Sequence, residues 1–147
     1  MTQSSFTLER SYQVAPDRVF AAWARPEARA RWFAEGASEH QLDFRVGGGE
    51  TVVAFDGQGR RMTFQTEIHD IVTNERIIYT ATLATDGVLS TVSLTTVEFE
   101  ATDDGTRLVV TEQGTYVVGQ ERPEWRQQGT SDQLDRLSGE MASTGGP

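Results

Sequence analysis

Apolar residues change their period twice along this chain, and the two changes divide it into three stretches. Near the start Phe6, Leu8, Tyr12 and Val14 alternate with polar residues as far as Ala15-Pro16, which predicts a first strand. Val19, Phe20 and Trp23 then fall at helical spacing after Asp17, and Pro26-Glu27 restarts a second short helix that ends near Trp32-Phe33. From Leu42 to Gln113 the period is two. Breaks at Gly47-Gly48-Gly49, Asp56-Gly57-Gln58-Gly59, Thr73-Asn74-Glu75, Thr85-Asp86-Gly87 and Thr102-Asp103-Asp104-Gly105 cut this stretch into six strands, an antiparallel meander. After Gly119 helical spacing returns. Trp125, Thr130, Leu134, Leu137 and Met141 form a stripe expected to lie on the sheet, with Arg126, Asp132, Asp135 and Arg136 off it. Gly129 costs such a helix about 1 kcal/mol relative to alanine, as expected where close packing needs it. Ala142 to Pro147 reads as an unanchored tail, so order is expected over about 6–141 of a single domain spanning 1–147.

Strand parity adds detail. In the segment 61–72, Met62, Phe64 and Ile68 share one face, whereas Gln65, Glu67 and His69 lie on the other, which reads as wet. The next segment gathers Ile77, Tyr79, Ala81 and Leu83. Between Leu94 and Val97 the apolar parity switches, predicting a bulge or strong bend, and a bent sheet can wrap a cavity. Glu112 shares parity with Leu108 and Val110, so its carboxylate points inward if they do, to anchor a ligand hydroxyl or move a proton. The competing reading is a strand-end glutamate that reaches water or pairs with Arg107 or Arg122.

The order β-α-α-β6-α, carried by these residues, resembles the START-like or Bet v 1-like superfamily (SRPBCC). Within it the chain is similar to bacterial proteins related to the C-terminal domain of the activator of heat-shock protein 90 ATPase. The resemblance runs from Phe6 to about Leu137. It rests on Ala15-Pro16-Asp17-Arg18-Val19-Phe20 with Trp23, Arg31-Trp32-Phe33, Asp43-Phe44-Arg45-Val46-Gly47-Gly48, Thr96-Val97-Glu98-Phe99, Gly105-Thr106-Arg107-Leu108, and Gly129 with Leu134-Asp135-Arg136-Leu137. Two departures stand out: Thr130 where many relatives carry tryptophan, and Val118 where the resemblance leads one to expect aspartate. The resemblance implies an α+β helix-grip fold: a curved antiparallel sheet of about seven strands wrapped around a long C-terminal helix, with a cavity between. It implies no single activity, since that fold hosts lipid carriers, hormone receptors, aromatases and co-chaperone domains.

Composition narrows the chemistry. A net charge of −9 disfavours nucleic acid and anionic lipid, whose phosphates must be neutralised by clustered cations. All thirteen basic residues are arginine, so a Schiff-base lysine is excluded, and the lack of cysteine excludes thiolate nucleophiles and zinc–thiolate sites. With no basic leader and no apolar run near the ~20 residues a span needs, a cytoplasmic location is expected. His40, within Ser38-Glu39-His40-Gln41, reads as a surface residue in a polar connection, and His69 with Glu67 as a solvated pair rather than a base–carboxylate dyad. Metal spacing is absent, and Gly47-Gly48-Gly49 reads as a turn rather than a phosphate cradle. No catalytic residue, metal or cofactor is assigned, and an enzyme is not the favoured reading.

The candidate ligand contacts are Trp32, Phe33, Phe44, Phe64, Tyr79, Tyr116 and Trp125, whose rings suit a flat hydrophobic guest, together with Glu112. Reversible binding of a small hydrophobic or aromatic molecule is the first expectation. A cyclase- or aromatase-like enzyme and a chaperone-associated interaction module are the alternatives. Among partners, a small hydrophobic molecule is expected, a homodimer and a chaperone partner are left open, and neither nucleic acid nor a membrane span is expected.

Overall fold

The computed structural model describes residues 1–117 and 121–144. Its elements run β1 (Thr2–Tyr12), α1 (Pro16–Ala24), α2 (Pro26–Trp32), β2 (Glu39–Leu42), β3 (Glu50–Phe55), β4 (Arg61–Val72), β5 (Arg76–Thr85), β6 (Val88–Thr102), β7 (Gly105–Tyr116) and α3 (Pro123–Thr144). The strands form one curved seven-stranded antiparallel sheet in the order β1-β7-β6-β5-β4-β3-β2. The expected α+β helix-grip architecture is what the chain adopts.

Local chemistry explains the boundaries. Pro16 and Pro26 each occupy a first helical turn, where a missing N–H costs nothing, and Pro26 holds Arg25 extended so that α1 must stop there. Asp86 and Gly87 both take positive φ (49° and 79°), closing the β5–β6 hairpin with the two-residue turn that matches strand twist. Strand β2 lies upstream of the expected position, because 43–48 folds over β4 instead of extending. Gly47 N–H donates to the Ile68 carbonyl and Ile68 N–H to that of Gly48. Gly49 permits this approach, since a Cβ there would collide with the Thr66 carbonyl. Strand β1 starts earlier than expected, at Thr2, and α3 continues through the supposed tail to Thr144; 145–147 lie outside the described residues.

The bulge expected between Leu94 and Val97 is absent. Pairing from Thr91 to Glu98 runs without a break against both β5 and β7. Thr91, Ser93, Thr95, Val97 and Phe99 all point inward while Val92 is exposed, so the parity holds and the inner face simply turns from apolar to hydroxyl-bearing. Register shifts occur elsewhere, between Leu83 and Ala84 in the β5–β6 pairing and between Ile68 and Asp70 in the β4–β5 pairing, where His69 is left over.

One core joins the layers. Val19, Phe20 and Trp23 of α1, Trp32 of α2 and Leu134, Leu137 and Met141 of α3 pack with the inward Val97, Phe99, Leu108 and Val110. Trp125, expected on the same stripe, is instead 57% exposed. Leu137→Ala is therefore expected to cost about 2–5 kcal/mol and Trp125→Ala no more than about 0.5 kcal/mol, read as urea midpoints. Equal midpoint shifts for the two variants would contradict this packing.

Candidate ligand cavity

The hairpin registers stack inward residues in rows across the sheet. Ile77, Val97 and Val110 are paired across β5, β6 and β7, an apolar row beneath the helices. The next row is Ile68, Tyr79, Thr95 and Glu112, and the one after it Thr66, Ala81, Ser93 and Gly114. Side chains thus become polar, then small, along these strands. A cavity of about 420 Å³ lies between sheet and helices, against Tyr79, Thr95 and Glu112 of the polar row. Trp23, Trp32, Phe33 and Phe64 supply rings to its wall, Tyr79, Thr95 and Glu112 a polar floor, and Trp125, Arg126, Gly129 and Gln133 its helical side. The rings meet edge to face: Trp32 on Trp23 at 4.8 Å and on Phe33 at 5.6 Å between centroids.

Gly129 does not serve the close packing expected of it. The residue is exposed at the border of the cavity, and a Cβ added there would meet no atom within 4 Å, so no close contact requires glycine.

The floor is charged. Arg126 donates from Nη2 to Glu112 Oε1 at 2.8 Å and from Nε to Oε2 at 3.3 Å, reaches Ser93 Oγ at 3.4 Å, and meets Glu121 through Nη1 at 3.3 Å. Burial works against the Arg126 charge, but the two carboxylates outweigh it and hold the guanidinium above its ordinary range. Glu121 is pushed up by burial, only partly countered by Arg126. Thr95 Oγ1 donates to Glu112 Oε1 at 3.4 Å, completing a row in which Tyr79 interacts with Thr95 on one side and with Arg29 on the other. Burial is the main cause that raises the Tyr79 phenol, which keeps it neutral and able to donate.

Behind this floor lies a second charged group. Arg29 of α2 is fully enclosed and donates to Glu50 of β3 from Nη2 at 2.8 Å and from Nε at 3.0 Å. Its guanidinium carbon lies 4.8 Å from the rings of Trp23 and Trp32 and 3.5 Å from that of Phe33. His40 Nε2 lies 2.8 Å from Glu50 Oε2, and Glu50 N–H donates to Thr66 Oγ1. Burial alone would raise the Glu50 carboxyl; Arg29 and His40 together overcome it and hold the carboxyl below the ordinary carboxylate range.

Of the aromatic and acidic residues expected at a ligand, Trp32, Phe33, Phe64, Tyr79, Glu112 and Trp125 border the cavity. Phe44 and Tyr116 do not. Phe44 packs edge-on against Phe20 at 5.7 Å, beside a separate void of about 20 Å³, and Tyr116 is buried among the last strand residues next to Gly114. Trp32 is also a fastener, its Nε1–H bonded to the Ala22 carbonyl at 2.8 Å. Glu112 does point inward, with Arg126 as partner rather than Arg107 or Arg122. His40 is not a surface residue: its side chain is 12% exposed because β2 carries it against Glu50. His69 and Glu67 are exposed, as read from their strand face. Val118 lies outside the described residues. Sequence reasoning missed Arg126, Arg29 and Glu50, because periodicity weighs only apolar side chains. One signal was present for Arg126, which stands one helical turn before the inward Thr130.

A family model described as Activator of Hsp90 ATPase homolog 1-like protein matches residues 13–142. The chain belongs to that family. Solved relatives include the Mll3558 protein from Rhizobium loti, 39% identical over 95% of this chain and 97% of that one, with a TM-score of 0.89. A protein from Rhizobium leguminosarum is 37% identical over 97% and 96% of the two chains, with a TM-score of 0.93. DynU16, from the dynemicin biosynthetic locus, shares the fold at 20% identity and a TM-score of 0.70, with 97% of this chain matching 48% of that one. No curated protein matches the chain. Membership of the Hsp90 ATPase activator-like family places the cavity in a fold of ligand-binding proteins, and no helix among the described residues is long and apolar enough to cross a membrane.

The enclosed Arg29–Glu50 pair makes a prediction about acid. With its folded value depressed below the ordinary 4.5, Glu50 contributes stability that is complete above about that pH and is lost as pH falls through the folded value. Glu121, raised instead, acts in the opposite sense, so the comparison must be between parent and variant. Glu50→Gln is expected to cost about 3–5 kcal/mol at pH 7, by leaving Arg29 enclosed without its counter-charge. The gap between parent and variant should narrow as pH falls below about 4. A urea midpoint unchanged at pH 7 would refute the pairing.

Proposed function

We propose that this protein binds a small, flat hydrophobic or aromatic molecule reversibly in the cavity between its sheet and its closing helix. The observation that carries this reading is the cavity of about 420 Å³ itself, walled by the rings of Trp23, Trp32, Phe33 and Phe64 over a floor of Tyr79, Thr95 and Glu112. Ligand cavities of ~300–1,000 Å³ with apolar walls and a few convergent polar groups have this form. The rings exclude water from a guest, and its apolar area contributes roughly 25 cal/mol per Å² removed from solvent. Catalysis of the cyclase or aromatase kind is the weaker reading. The inward carboxylate such chemistry would use, Glu112, is engaged by both Arg126 and Thr95.

N-phenyl-1-naphthylamine, a neutral dye whose emission rises in apolar surroundings, is expected to bind with a micromolar dissociation constant, about −8 kcal/mol. Gly129→Phe places a ring where the Cβ meets nothing within 4 Å, and so should keep the fold while weakening the dye at least about tenfold, or 1.4 kcal/mol. Glu67→Ala, on the outer face, should leave binding unchanged. Trp32→Ala is a poor probe, because Trp32 is 1% exposed and its loss disturbs the fold. A folded Gly129→Phe protein that binds as the parent does would move the site elsewhere. No dye binding by the parent would favour the chaperone-associated reading.

A further inference from the structure

The charged floor of the cavity selects among flat guests by their polar head. Glu112 presents about four lone-pair sites. Arg126 Nη2 and Thr95 Oγ1 occupy both on Oε1, and Arg126 Nε occupies one on Oε2, which leaves, among the described residues, an acceptor position on Oε2 of a carboxylate that borders the cavity. Arg126 has little left to offer: four of its five N–H groups are engaged by Glu112, Glu121 and Ser93. Two carboxylates therefore surround one guanidinium, and this cluster carries a surplus negative charge in a place largely closed to water, with Glu112 6% exposed. A carboxylate head placed beside Glu112 would bring a third anion to the single cation of this cluster, with one N–H to receive it, while Arg136, the other guanidinium bordering the cavity, is paired with Glu35. A hydroxyl or an amine would instead donate to the open position on Glu112, and a protonated amine would also neutralise the surplus. Desolvating an uncompensated charge costs far more than a missed neutral hydrogen bond.

We propose that the guest of this cavity is an aromatic molecule whose polar head donates a hydrogen bond, a hydroxyl or an amine, and that aromatic and fatty carboxylates are excluded by the Glu112–Arg126–Glu121 cluster. The proposal rests on the cavity reading above and specifies its substrate class. Glu112 is the specificity-determining residue, held in place by Thr95 and Arg126.

The test is a calorimetric titration of the wild-type protein at pH 7 with three guests on one frame: 2-naphthol, 2-(aminomethyl)naphthalene and 2-naphthoate. The alcohol and the amine are expected to bind at least about tenfold more tightly than the carboxylate. Glu112→Gln removes the charge and should bring the three affinities within about threefold of one another, a difference below 1 kcal/mol. Should Glu112→Gln fail to fold, Glu121→Gln removes the second carboxylate from the cluster while leaving the Glu112–Arg126 pair, and should narrow the carboxylate's disadvantage. Naphthoate binding as tightly as naphthol to the parent overturns the head-group assignment while the cavity reading stands. Failure of all three guests and of the neutral dye overturns both. Discrimination unchanged in a folded Glu112→Gln protein overturns the role given to Glu112.

Discussion

The guanidinium of Arg29 is the point at which the helical layer is fastened to the far edge of the sheet, and the cavity exists because of where that fastening lies. Arg29 leaves α2, passes between the rings of Trp23, Trp32 and Phe33, and ends on Glu50 at the start of β3. A charge so enclosed is tolerable only with a matching charge, the more so because Arg29 Nη1 has no hydrogen-bond partner among the described residues. Glu50 supplies the charge, and His40 and Thr66 in turn hold Glu50. The same rings that solvate Arg29 on one side face the cavity on the other. Movement of α2 toward the sheet, which would fill the cavity, would have to break this pair or strip its rings away. The cavity stays open because closing it costs a buried ion pair its geometry.

From this fastening the opposite wall can be followed. Arg136 donates to the Trp32 carbonyl at 3.0 Å and Gln133 Nε2 to that of Phe33 at 3.0 Å, so α3 takes its position from the C-terminal turn of α2. Arg10 of β1 reaches Ser131 at 2.9 Å and Asp135 at 3.2 Å and ties the same helix to the near edge of the sheet. Leu134, Leu137 and Met141 then close the core beneath these bonds, while the first turns of α3, from Trp125 to Thr130, span open space. Half of the helix is core and half is roof. The apolar stripe accordingly holds at Leu134 to Met141 and fails at Trp125.

Most of the fold was legible in the chain because the turns are chemically explicit. Asp86-Gly87 and Asp103-Asp104-Gly105 end strands unambiguously, and the period changes at Pro16 and after Gly119 mark the helices. Strand β2 was misplaced because Asp43-Phe44-Arg45-Val46 carries strand-like alternation, yet its backbone bonds are taken by Gly49, by the Ile68 carbonyl and by its own turn. The site was legible in part. Glu112 followed from parity with Leu108 and Val110, and the β6–β7 turn, pairing Thr102 with Gly105, sets Thr95 opposite Glu112 by counting back along both strands. The switch at Leu94 was read as a bulge because an inward face was assumed to be apolar. Its hydroxyls are inward because the strand has left the core and entered the floor of a cavity. Arg29, Glu50 and Arg126 were invisible for a related reason: each is a charged residue at a position whose burial depends on a partner far away in sequence.

That pattern separates what builds the container from what lines its floor. Rings near the start, glycines at the turns and the stripe of α3 build the container, and one fold can hold different guests. The floor is the short polar row, and its position in the sheet sets it apart from the apolar row beside it. Thr95 and Glu112 sit one row beyond Val97 and Val110 and outside the hydrophobic core that Tyr79 of the same row joins, so a change at either alters the cavity floor while the apolar core stays in place. The row is coupled through Glu112 to Arg126, which belongs to the half of α3 that serves as roof, and through Tyr79 to the enclosed Arg29. Adjacent rows of one sheet thus serve different ends: Ile77, Val97 and Val110 pack beneath the helices, while Thr95 and Glu112, one pairing further along the same strands, face the cavity and meet a charge from α3.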